Sequence, residues 1–200
     1  MTAVPRFVLA SKSPARLNTL RNAGLNPVVV VSGVDESTVA GSPADVALIL
    51  AVRKAMAVAP RCDESLVLGC DSLLDLDGEP HGKPADRDEA IARWRRMRGR
   101  SGVLHTGHCL LDTTTNRQGA RVASTTVYFA DLTDDEIEAY VDTGEPLSVA
   151  GAFTIDGLGG PFVERIDGDP HNVVGVSLPL LRHLLVEVGH RWTDLWAHGS

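Results

Sequence analysis

The chain has 200 residues, 44% of them hydrophobic, and a formal net charge of −7, so it can bury a substantial core and lies within the usual size of one domain. No apolar run approaches the ~18 residues of a membrane span, Met1–Phe7 lacks the apolar segment of a secretory signal, and the acidic balance disfavours non-specific binding to nucleic acid; a cytoplasmic protein with neither a membrane nor a nucleic-acid partner is expected. Its three cysteines, Cys62, Cys70 and Cys109, form no CxxC pair, which points to reduced thiols rather than disulfides or zinc.

Arg6–Ala10 is a short apolar run that predicts a strand, and Pro14–Ala23, with Leu17 and Leu20 on one side and Gly24 after it, predicts a helix. The β-branched run Val28–Val31 is a second strand candidate. Ser42-Pro43 pairs an N-cap with a first-turn proline and opens a helix to about Ala59. Ser65–Leu74 supplies a strand and Asp77-Gly78 a tight hairpin turn. Asp86–Met97 follows as a helix with acids in its first turn and arginines in its last, ended by Gly99. Val103–Asp112 and Val122–Ala130 are strands about the polar loop Thr113–Gly119, and a capping box from Thr133 to Glu136 opens a helix over Thr133–Val141. Ala152–Ile155 is expected to end a strand, the glycine- and proline-containing stretch Asp156–Gly175 to form a loop-rich wall, and Leu178–Val188 to close the fold as an amphipathic helix. This alternation predicts an α/β sheet in a single domain over residues 1–196, with 197–200 as a frayed tail.

Several segments carry charge where chemistry could use it. Ser11-Lys12-Ser13-Pro14-Ala15-Arg16 lies between strand and helix, where backbone N–H groups, hydroxyls and a guanidinium can converge on phosphate oxygens; it also reads as an ordinary serine N-cap with a solvent-facing Arg16. Val34-Asp35-Glu36 follows a strand, and Gly69-Cys70-Asp71-Ser72 places a carboxylate where an apolar strand ends, the usual position of ligands in α/β sheets. Two such carboxylates would hold a hard divalent cation by oxygen and polarise a water, the plainer readings being a turn acid and a strand cap. Lys54 falls inside an apolar helix, where a lysine is usually solvated, and Gly82-Lys83-Pro84 presents a lysine on a rigid loop; such point charges neutralise phosphates. The basic run Arg93, Arg95, Arg96, Arg98 and Arg100 reads as a solvated helix face, with Trp94 and Met97 turned to the core. Asp75-Leu76-Asp77-Gly78 resembles the DxDG nucleophile loop of haloacid-dehalogenase-type phosphatases, with Asp75 as nucleophile, although Glu79-Pro80 stands where that motif continues with Thr or Val and a hairpin turn is the simpler reading.

Taken together, SKSPAR, VDE, Arg53-Lys54-Ala55, LGCDS, GKP, HTG (His105–Gly107), GEPLSVAGAFTIDGLGG and NVVG resemble the Maf family in order and spacing, over roughly Phe7 to Leu185. The resemblance implies an inosine-triphosphatase-like α/β fold, a long mixed central sheet with two lobes flanking a nucleotide-binding cleft, often in a homodimer. It implies hydrolysis of nucleoside triphosphates, modified nucleotides among them, to monophosphate and pyrophosphate, by water attacking the α-phosphorus with Mg²⁺ or Mn²⁺. By the same resemblance Ser11, Ser13 and Arg16 bind the triphosphate with Lys54 and Lys83 helping, while Glu36 and Asp71 carry metal and water, Asp71 being the active-site acid. Two departures stand out: Ala15 replaces the first arginine of the family's frequent SPRR, and Asp156 stands where the pyrimidine-preferring branch has Gln. An ionised Asp156 only accepts hydrogen bonds, which suits the adjacent N–H donors of guanine if it faces the base; alternatively it sits on the metal side of the cleft or caps the Gly157–Gly160 loop. The rival readings are the Asp75 phosphatase and a non-catalytic septation regulator, the latter from the family's link to septum inhibition.

Overall fold

The computed structural model describes residues 5–196. Its backbone is a set of three long antiparallel strands, β3 (Ser65–Leu76), β5 (Ser101–Asp112) and β6 (Gln118–Phe129), each of 12 residues. β1 (Arg6–Leu9) runs parallel to β3 and carries the short parallel β2 (Val28–Val29) on its outer side. β4 (Glu79–His81) turns back on β3, and β7 (Val163–Asp167) edges β6. The sheet is therefore mixed, in the order β2-β1-β3-β5-β6-β7 with β4 off this path. Its pairing leaves a gap. β1 accompanies β3 only as far as Leu68 and β4 rejoins it at Leu74, so Gly69–Leu73 has a strand neighbour on the β5 side alone among the described residues.

Among the described residues six α-helices pack on this sheet: α1 (Pro14–Asn22), α2 (Pro43–Val58), α3 (Arg87–Met97), α4 (Asp134–Asp142), α5 (Pro170–Val174) and α6 (Leu178–Val188). The expected caps form at Ser13 and Ser42, which each accept an N–H three residues on, and Thr133 and Glu136 close a capping box; Asp86, expected inside its helix, instead caps α3 through the Glu89 N–H. Asp77 and Gly78, at φ 59° and 85°, make the expected tight turn between β3 and β4. Two cores follow one another along the long strands, one holding Leu66, Leu68 and Leu110 with α1 and α6, the other Leu74, Leu76 and Leu104 with Trp94, Tyr140 and Phe129. A third, with Val67, Cys109, Ala51 and Ala55, lies under α2. There glycine decides the fit. A Cβ on Gly69 would stand 2.2 Å from the Ala51 carbonyl oxygen, and one on Gly107 2.2 Å from that of Ala47, so only side-chain-free positions let α2 lie backbone against backbone on β3 and β5.

Three expectations need correction. Ala152–Ile155 is not a strand: Ala150–Ala152 is a tight turn, and Phe153 plugs the core edge-on to Phe129 at 5.0 Å. The stretch Asp156–Gly175 is not all loop, since it holds β7 and α5. β6 begins at Gln118 rather than Val122, shortening the loop before it. The cysteines are buried and free, and burial pushes the Cys70 and Cys109 thiols up to about 12. No described helix is long and apolar enough to cross a membrane. The expected tail at 197–200 lies outside the described residues.

Candidate active site

The gap beside β3 is where the charged residues gather. Asp71 stands in it, opposite Gly107 in register, within β3 rather than at the strand end expected for it, because β3 runs on to Leu76; Lys54 reaches it from the α2 turn that follows Ala51. Lys54 Nζ donates to Asp71 Oδ1 at 2.5 Å and pairs with Glu36 Oε1 at 2.7 Å. Lysine and aspartate are buried, whereas the Glu36 side chain is 57% exposed and forms the solvent-facing wall of the group. The solvated reading of Lys54 is thus corrected: the glycine-mediated approach of α2 buries its ammonium against a carboxylate. Burial pushes the Asp71 carboxyl above its ordinary value, and the charges of Lys54 and Arg16, with the Lys54 hydrogen bond, pull it part of the way back.

Arg16 is also buried, not solvent-facing, because its guanidinium is engaged by the protein. Nε donates to the Gly175 carbonyl at 2.7 Å, Nη1 to Ser11 Oγ at 3.1 Å and Nη2 to Ser72 Oγ at 2.9 Å. Ser11 Oγ also accepts the Ser13 N–H, and Ser13 caps α1 through the Arg16 N–H. The chain of hydroxyls continues: Ser72 Oγ lies 2.9 Å from Thr106 Oγ1, which donates to the Asn172 carbonyl. The late NVVG segment is tied in this way to the residue next to Asp71. Below it, His108 bonds the Thr106 carbonyl through Nδ1 and accepts the Ser177 N–H at Nε2, which fixes one neutral tautomer; burial lowers its pKa to about 4.

Ser11, Ser13, Arg16, Lys54, Asp71 and Glu36 are therefore assembled around the gap, while Lys83 and Asp156 are not bonded to them. Both are exposed, and neither makes a hydrogen bond or ion pair among the described residues. Their loops are nonetheless fixed. Gly82 O accepts from Arg93 Nη1 at 2.5 Å and from the Gly151 N–H at 3.0 Å. The loop bearing Asp156 is held by Glu145, which sequence reasoning missed: its Oε1 accepts Tyr140 OH, Thr154 Oγ1 and the Gly159 N–H, and its Oε2 the Leu158 N–H. The readable signal was the glycine spacing, since a Cβ on Gly157 would stand 2.4 Å from Glu145 Oε2. Asp75, the rival nucleophile, accepts the Gly78 N–H at 2.7 Å and so closes the hairpin turn, while Asp77 pairs with Arg100 at 2.7 Å.

Glu36 and Asp71 are two oxygen donors that meet at the Lys54 ammonium, and among the described residues no group of three or more His, Cys, Asp or Glu side chains could hold a metal. A two-carboxylate set suits a hard cation that takes its remaining ligands from substrate phosphates and water, the habit of Mg²⁺.

The family model for Maf-like proteins matches residues 6–188. The nucleoside triphosphate pyrophosphatase of Salinispora tropica is 62% identical, the match covering 98% of this chain and 89% of that protein. That of Streptomyces coelicolor is 59% identical, covering 98% of each. Among solved structures, the Staphylococcus aureus Ham1 protein overlaps 63% of this chain and 72% of its own, at 16% identity and a TM-score of 0.44.

Proposed function

The chain belongs to the Maf family, and from that premise we propose that it hydrolyses nucleoside triphosphates to nucleoside monophosphate and pyrophosphate. The observation that carries the reading is the buried Lys54 ammonium joining Asp71 to Glu36 at the unpaired stretch of β3. Attack of water on the α-phosphorus needs little covalent help from a protein; it needs alignment, a proton acceptor and positive charge near the leaving pyrophosphate. Asp71, made more basic by burial, takes the proton of the attacking water on its carboxylate. Lys54 neutralises charge beside it. The Ser11 and Ser13 hydroxyls and the Ala15 N–H at the start of α1 donate to phosphate oxygens, with Arg16 holding these groups in place and Lys83 meeting the pyrophosphate from its loop. A divalent cation, Mg²⁺ or Mn²⁺, when bound by Glu36, Asp71 and the phosphates, supplies Lewis acidity and further charge neutralisation.

The finer parts of the reading rest on sequence. Asp156, exposed on the loop that Glu145 holds, favours guanine-type and modified purine triphosphates over UTP or dTTP by accepting two adjacent N–H donors. The net charge of −7 supports an enzyme of free cytoplasmic nucleotides rather than of nucleic acid, and a homodimer follows the family resemblance. A test of the reading follows pyrophosphate and orthophosphate together during turnover of a panel of nucleoside triphosphates. Pyrophosphate is the expected first product; Asp71→Asn should lower turnover on the order of a thousandfold with the fold intact, and Asp75→Asn should leave it near wild type. Orthophosphate released first, or the opposite ranking of the two variants, would replace this reading with the phosphatase.

A further inference from the structure

Arg93 departs from the arginine run it belongs to. Arg95, Arg96 and Arg100 are exposed and meet acids at the surface, as a solvated helix face should, but Arg93 is 4% exposed. Burying a guanidinium is costly unless it is paired and hydrogen-bonded, and the partners of Arg93 all point one way. Its Nη1 donates to the Gly82 carbonyl at 2.5 Å and its Nη2 pairs with Glu89 Oε1, one helical turn earlier, at 2.5 Å. The second oxygen of Glu89, Oε2, accepts the Ala85 N–H at 2.7 Å. A single ion pair on α3 thus grips the first and last residues of Gly82-Lys83-Pro84-Ala85. Between the grips Pro84 is buried with its φ set by the ring. Lys83 is the one residue of the four left exposed with a charged side chain to offer.

An exposed lysine on a slack loop must be ordered when it meets a phosphate, and that entropy is subtracted from its affinity; a loop ordered beforehand avoids the loss. We propose that the Glu89–Arg93 pair is a clamp that pre-sets the Lys83 loop for the triphosphate, which makes Glu89 and Arg93 positioning residues. The inference rests on the reading of Lys83 as a triphosphate ligand. Two measurements on the full chain test it together: hydrogen–deuterium exchange of the segment 82–85, and steady-state kinetics of wild type, Lys83→Ala, Arg93→Met, Glu89→Ala and the Lys83→Ala/Arg93→Met double variant. Faster exchange confined to that segment is expected in Arg93→Met and Glu89→Ala. Each single variant should raise KM about tenfold with little change in kcat, the scale of one charge-assisted hydrogen bond, and the double variant should be no worse than Lys83→Ala. Glu89 is half exposed, so its removal tests the clamp without opening the core. Unchanged exchange at 82–85, losses that multiply in the double variant, or a Lys83→Ala protein with wild-type KM would each overturn the proposal. A wild type that releases pyrophosphate from no nucleoside triphosphate would overturn the functional reading instead, and the exchange data would still judge the clamp.

Discussion

Arg16 and Lys83 carry the same charge, yet the fold treats them oppositely. Position alone, at a helix start and on a loop, makes both look free of packing duties, but Arg16 donates to Gly175, Ser11 and Ser72 from a buried position. Its truncation leaves those acceptors unmatched in a site that water reaches poorly. Arg16→Ala should therefore cost about 3 kcal/mol of stability as well as activity, which for a chain of this size lowers Tm by roughly 10 °C. Lys83→Ala should stay within about 0.5 kcal/mol of wild type while its KM rises. Thermal unfolding run beside the kinetic assay separates the two, and an Arg16→Ala protein with an unmoved Tm would return that residue to the surface role.

At the scale of elements, the site depends on how closely α2 lies on the sheet. Gly69→Ala and Gly107→Ala each place a methyl 2.2 Å from a backbone oxygen of α2, an overlap that only movement of the helix relieves. Each should cost about 3 kcal/mol or more and carry Lys54 away from Asp71. Gly78→Ala, with no atom within 4 Å of its added Cβ, should cost only the left-handed backbone penalty of about 1 kcal/mol. Urea unfolding of the three variants checks the ranking. The elements themselves were largely legible, because caps and turns are local chemistry: Ser42-Pro43, the Thr133–Glu136 box and Asp77-Gly78 each act within four residues. What depended on distant partners was not. Lys54 and Arg93 look solvated until Asp71 and Gly82 are brought to them from other elements. β7 is an edge strand whose Glu164 and Arg165 face solvent, so its sequence carries no apolar run, and α5 is too short to show a period. Apolar Ala152–Phe153 read as strand because a buried plug and a buried strand have the same composition.

For the molecule as a whole, the small acidic set at the site makes a statement about metal. Two carboxylates already paired to one ammonium hold a bare cation weakly, so Mg²⁺ alone should move Tm little, whereas Mg²⁺ with a non-hydrolysable nucleoside triphosphate should raise it by mass action. Turnover should stop in EDTA and return with Mg²⁺ or Mn²⁺. A large Tm shift with Mg²⁺ and no nucleotide would mean a complete protein cage that the described residues do not show.

The parallel pairing of β1 with β3 has a consequence in time. β5 and β6 are joined by a short loop and can zip early, but Arg6 finds Ser65 only after α1, β2 and α2 have been made and folded back, a long-range closure of the kind that slows folding. During synthesis β1 leaves the ribosome before β3 and waits for a partner that emerges much later. The strand that waits carries Ser11, Ser13 and Arg16 at its exit. A refolding chain should accordingly bury Trp94, in the core of α3 and α4, before it regains turnover. With Trp192 and Trp196 replaced by phenylalanine, fluorescence should recover ahead of activity, and simultaneous recovery would show that β1 docks with the rest.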